Sequence, residues 1–86
     1  MIQEHKIKID PKYFDDVAKS RKTFEVRKND RAYKVDDILD IYEYDRETGE
    51  YSGRYIFAVI TYILDDQEYL RDEYVILALE ILQVNN

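Results

Sequence analysis

The sequence predicts a mostly β, α+β domain: a small barrel of about five strands with one main helix after the first strand. Three observations predict it. Period-two apolar alternation recurs in short runs, nine Tyr and three Phe favour pleated half-buried surfaces, and only one segment joins a helix-start signal to a stripe of helical spacing. A closed or nearly closed sheet is expected, because closure removes the strand edges through which small β domains associate. At 86 residues the chain is read as a single domain, residues 1–86, since so short a chain has no surface to spare for a second core.

The elements follow in order. In HKIKI, residues 5–9, Ile7 and Ile9 alternate with Lys6 and Lys8, as in a half-buried strand. Asp10 then offers an acceptor to the free amides of a helix start, Pro11 suits the first helical position, and Asp15 and Asp16 lie towards the positive end of the dipole. That helix is expected to run to about Lys19. Tyr13, Phe14, Val17 and Ala18 form its apolar stripe, and Lys19, Arg21 and Lys22 suit its negative end. From Thr23 to Lys28 the alternation returns, with Phe24 and Val26 on one face and Glu25 and Arg27 on the other. Asn29-Asp30 is a turn pair. A third strand spans Ile38 to Tyr44, and Arg46 to Glu50 with Gly49 closes a hairpin onto a long apolar strand from about Tyr55 to Leu64. Gly53 marks a bulge at its start. Residues 65–73 form a polar connection with room for one helical turn, and Tyr74 to Leu82 is the last strand. An OB-fold has the same strand number, but it places its helix between the third and fourth strands.

Composition excludes several function classes. There is no Cys and a single His, so disulfides, thiol chemistry and a dedicated zinc site are not expected; neither is any metal or cofactor. The first ten residues, MIQEHKIKID, lack the apolar core of a signal peptide, and YIFAVITYIL is about half of the ~20 residues a membrane span needs. A soluble, cytoplasmic protein without a membrane partner is expected. The net charge of −6 argues against nonspecific binding of duplex DNA, which requires many cations to neutralise phosphates. That average hides an asymmetry, because residues 1–34 carry +4 and residues 35–86 carry −10.

Weaker candidates read as structure. Asp15-Asp16, Asp36-Asp37 and Asp65-Asp66 are neighbours that diverge on either a strand or a helix, so they are expected to be solvated surface. The segment from Asp45 resembles a calcium loop only in part, with Gly49 at the fifth position and Ile56 where the bidentate Glu belongs. His5 has no second His or Cys nearby in sequence and reads as a surface or satisfied core imidazole. Tyr42, Tyr44, Tyr51, Tyr55 and Tyr62 read as barrel surface and core before they read as a stacking platform.

The order HKIKI, then Pro11-Lys12-Tyr13-Phe14, then Lys22-Thr23-Phe24-Glu25-Val26-Arg27-Lys28-Asn29-Asp30-Arg31 resembles the ASCH domain of the PUA-like superfamily, in particular a small bacterial and phage branch of it. The likeness continues through Val35 to Leu39, Glu43-Tyr44-Asp45, Tyr51 to Arg54 and Ile60 to Leu64. It implies a PUA-like β-barrel with a helix on one side, a cleft beside a G-x-K-x-x-E-x-R motif, and a role in RNA binding. Two glycines of that pattern are Ser20 and Asp36 here. Glycine commonly serves positive φ, which Asp tolerates better than Ser.

The resulting expectation is an RNA-binding module for a short single-stranded or structured RNA, or a nucleotide-like ligand. Lys22, Arg27 and Arg31 would contact phosphates, while Glu25 and Asn29 would read an exposed base edge. The plainer alternative is that Glu25 and Arg27, two apart on one strand face, simply pair with each other. An enzyme is the less favoured reading. It would be a small hydrolase of modified nucleosides or related amides, with Lys22 and Glu25 as its catalytic groups and Glu43 a further proton carrier; where related hydrolases carry a catalytic Thr, this chain has Glu25. A third possibility is a protein partner bound through the acidic residues of 35–73.

Overall fold

The computed structural model describes residues 1–86. The order of elements is β1 (Glu4–Ile9), α1 (Pro11–Ala18), β2 (Phe24–Lys28), β3 (Ile38–Asp45), β4 (Glu50–Leu64) and β5 (Tyr74–Asn85). One five-stranded sheet holds all of the strands in the order β1-β3-β4-β5-β2, with β1 parallel to β3 and the other pairs antiparallel. The sheet curls into a half-barrel. Bulges supply much of the bend, since an extra residue on one strand increases local twist. Between Tyr42 and Tyr44 of β3 the partner advances from Tyr55 to Tyr51, so Ser52, Gly53 and Arg54 stand opposite Glu43. Gly53 has φ +94°, a left-handed backbone at which glycine carries no steric cost. Two further register shifts interrupt β4 and β5, after Phe57 and after Ile60.

The core lies on the concave face. Ile7 and Ile9 of β1, Leu39 and Ile41 of β3, Ile56 and Ile60 of β4, and Val75 and Leu77 of β5 point inward, and Phe14 and Val17 of α1 close the open side. Each such side chain contributes about 1.5–3 kcal/mol on leaving water. Asp10 precedes the helix as expected, yet its carboxylate makes no capping bond and instead receives Arg46 at 3.0 Å. Pro11, fixed near helical φ and lacking an amide hydrogen, starts the helix without that cap.

Polar groups are more deeply placed than the sequence suggests. Asp37 is buried, not solvated, because its carboxylate is a junction: it accepts from the amides of Gln3 and Lys34 at 3.1 Å each and pairs with His5 Nε2 at 2.8 Å. Burial opposes charge on Asp37, but these bonds outweigh it and hold the carboxyl below its usual range. His5 is thus a satisfied core imidazole, with the Tyr33 ring edge-on at 4.8 Å. Asp40 is also buried, and its Oδ1 has no partner. Burial, then a hydrogen bond and charge repulsion from Glu4, raise its pKa against the opposing charge of Lys6.

The barrel is not closed by strand pairing. β1 and β2 are the two edges of the sheet and do not pair. Side chains bridge them instead: Arg27 of β2 donates to the Lys8 carbonyl, and Arg31, just beyond β2, donates to the Lys6 carbonyl. Carbonyls two residues apart point to the same side of a strand, so the two guanidinium groups act as successive rungs along the free edge of β1.

Candidate functional site

The seam between β1 and β2 is where the predicted site residues gather. β2 turns its charged face inward: Glu25 and Arg27 pair in register with Leu77 and Val75 and share their face of the sheet, while Phe24 and Val26 face solvent. That is the reverse of the usual apolar-in pattern. The concave face can accept Glu25 because two cations meet it. Lys22 Nζ contacts Glu25 Oε2 and the Phe24 carbonyl, and Arg27 reaches Glu25 Oε1 at 3.0 Å. The Glu25 side chain is 6% exposed, so its end of this ion pair is nearly dry, flanked by the largely buried Lys22 and Arg27.

Two hollows of about 680 Å³ each flank Arg27. Volumes of roughly 300–1,000 Å³ are usual for small-molecule sites. The first is lined by Lys6, Lys8, Arg27, Lys28, Asp30 and Arg31 together with Ile7, Tyr33, Tyr42 and Tyr51. The second, beside α1, holds Lys22, Glu25, Arg27, Lys8, Asp10 and Arg46 with the rings of Tyr13, Phe24 and Tyr44. Together they present seven of the 13 Lys and Arg residues against three carboxylates, a local balance of +4 in a chain of net charge −6.

Of the five expected nucleic-acid contacts, Lys22, Glu25 and Arg27 converge in the second hollow, and Arg31 joins Arg27 in the first. Asn29 stands apart. It lines a third, shallow hollow among Asp30, Asp65 and Asp72, and its amide oxygen accepts from the Tyr33 amide at 3.3 Å. Sequence reasoning missed Lys6, Lys8, Arg46, Tyr33 and Tyr44 as lining groups. The alternation that defines β1 puts Lys6 and Lys8 on one side together, which was the available signal; Arg46 arrives from a hairpin distant in sequence, for which there was none.

Glu43 takes no part in the seam. Arg54 grips it with Nε at 2.9 Å and Nη2 at 2.7 Å, reaches Asp15 on α1 at 3.0 Å, and stacks on Phe14 with its guanidinium carbon 4.2 Å from the ring centroid. The Arg54 bonds, opposed by burial, hold the Glu43 carboxyl below its usual range, and the same contacts raise the Arg54 guanidinium. The cluster fastens the start of β4 to the helix. Glu43 therefore lies outside the hollows in which a proton carrier would have to act.

The acidic face expected over residues 35–73 is thinner than its sequence, because Asp37, Asp40 and Glu43 are buried. No three His, Cys, Asp or Glu side chains gather where they could hold a metal ion. No helix is long and apolar enough to cross a membrane.

Comparison with known proteins places the chain. It is 39% identical over 77 residues to a protein of Escherichia phage P2 described as "Uncharacterized 12.9 kDa protein in GpA 3'region", an alignment that covers 90% of this chain and 68% of that one. Residues 4–79, from the start of β1 through the first half of β5, match the family described as "Domain of unknown function (DUF3850)", and the chain belongs to that family.

Proposed function

We propose that this protein binds short single-stranded RNA at the seam between β1 and β2. One observation carries the reading: cations, aromatic rings and one buried carboxylate are concentrated along a single opening of an otherwise acidic surface. A basic groove lined with aromatics suits unpaired nucleotides, whose phosphates meet cations while their bases stack or present hydrogen-bonding edges. Arg27 engages the Lys8 carbonyl and Glu25, and Arg31 the Lys6 carbonyl and, at 4.0 Å, Asp30, so each guanidinium keeps donors for a phosphate. Glu25, an acceptor-only group at the wall of the second hollow, favours a base edge that donates. The resemblance to ASCH domains points the same way.

The test is titration of short RNA oligomers at two salt concentrations. With three phosphate contacts, log K should fall with log salt at a slope near −2, by about 0.7 per phosphate for a single strand. Folded protein that binds no RNA at low salt would overturn the proposal. The hydrolase alternative draws on the contact between Lys22 and Glu25 at the edge of the same hollow. Turnover of a modified nucleoside by the native protein, lost in Lys22→Ala, would favour it over simple binding.

A further inference from the structure

The convex side of β3 and β4 carries a row of rings that begins at the seam and runs away from it. Tyr42 and Tyr44 of β3 stand opposite Tyr55 and Tyr51 of β4. The Tyr44 and Tyr51 centroids are 4.8 Å apart, and those of Tyr42 and Tyr55 5.6 Å. We propose that Tyr42, Tyr44 and Tyr51 form a stacking platform for the bases next to the nucleotide held in the seam, so that the ligand is a chain of two or more nucleotides. This rests on the RNA-binding reading above.

Two observations join the platform to the seam. Tyr42 and Tyr51 line the first hollow with Arg27 and Arg31, and Tyr44 lines the second with Lys22 and Glu25, so a strand leaving either hollow over β1 meets these rings next. Lys6 and Lys8 stand between, where the phosphates of that strand would run, and Lys8 Nζ already lies 4.3 Å from the Tyr44 ring centroid and 6.0 Å from that of Tyr51. Tyr51 is 56% exposed, an open ring face on which a base can lie. A purely structural row would instead serve to cover the sheet, and the two roles separate by experiment.

Oligoadenylates of one, two and four nucleotides, titrated by fluorescence anisotropy at low salt, provide the probe. Affinity for native protein should rise with length. Tyr51→Ala should weaken the tetranucleotide by about 5- to 150-fold, the range expected for losing one stacked base, and by a larger factor than it weakens the mononucleotide, with Tyr51→Phe near native. In the native protein, the ring resonances of Tyr42 and Tyr51 should shift further on adding the tetranucleotide than on adding the mononucleotide, a measurement that needs no variant to fold. A tetranucleotide that binds no better than the mononucleotide, or one bound equally well by Tyr51→Ala, overturns the platform and leaves the seam standing. Failure of every length to bind removes the seam reading and the platform together.

Discussion

Replacing Arg27 by Met tests whether the seam is held by its guanidinium. Met keeps the length of the side chain and its packing on the β2 face but removes every donor. Two losses follow. The Lys8 carbonyl loses a charge-assisted hydrogen bond, and Glu25 keeps only Lys22 to offset its charge in a place where 6% of its side chain reaches water. A hydrogen bond to a charged group is worth about 1.5–3 kcal/mol, and taking one partner from a buried ion costs about 3–5 kcal/mol when nothing replaces it. Here Lys22 remains, and the Arg27 side chain is 25% exposed, so solvent screens part of both contributions. The expected loss is thus about 2–4 kcal/mol, or a fall in Tm of at least about 8 °C at 4–8 °C per kcal/mol for a domain of this size. Urea unfolding of Arg27→Met, Glu25→Gln and the double variant is the assay, since the cycle isolates the coupling between the two groups. A single variant within about 0.5 kcal/mol of native, the usual range for an inert surface change, would refute the argument that side chains fasten β1 to β2.

Other expectations concern groups whose placement is unusual. Asp40→Asn should stabilise the fold at pH 7 by about 1–3 kcal/mol, because the native carboxylate is buried with an unpartnered oxygen beside Glu4. Its raised pKa means that folding favours the protonated form, so the native penalty appears as pH rises through the folded value; the advantage of the variant, followed by urea unfolding at pH 7 and pH 4, should shrink at the lower pH. Asp37 and Glu43 have the opposite sign. Both are held below their ordinary values of 3.8 and 4.5, so their contribution is complete above those values and is lost as pH falls through the lower folded ones; thermal melts from pH 6 to pH 2 should show native protein losing Tm more steeply there than Asp37→Asn does. Ser20 has φ +57°, a left-handed backbone that costs a non-glycine residue about 1–2 kcal/mol, so Ser20→Gly should raise the unfolding free energy measured in urea by up to about 1 kcal/mol after the entropy of the freer unfolded chain is subtracted. Asp36, at φ +78°, should gain less from the same change, since Asp tolerates that region.

The elements were largely readable because each carries a local signal: alternation in β1 and β2, Pro11 at the helix start, Gly49 in the hairpin, Gly53 in the bulge. Asp36 keeps the positive φ that glycine commonly serves, as Asp tolerates, and Ser20 keeps it too, although Ser is poorly suited to that region. Three things were not readable, for physical reasons. Alternation separates two faces without saying which is inside, and β2 turns Glu25 and Arg27 inward because Lys22 and the carbonyls of β1 satisfy them there. Paired Asp residues look solvated until a fold supplies donors, as Gln3, His5 and Lys34 do for Asp37. The expectation of a closed or nearly closed barrel rested on the cost of open edges. It did not foresee that two arginines would span those edges in place of backbone pairing, leaving the sheet a half-barrel.

Backbone ladders are built from groups that every residue except proline carries, so most single exchanges leave the joints of an ordinary barrel fastened. Arg27 and Arg31 make this joint different, because a lone codon change at either position removes a clasp and leaves every ladder intact. An exchange at either position can therefore widen or narrow the gap between β1 and β2 without redesigning the scaffold around it.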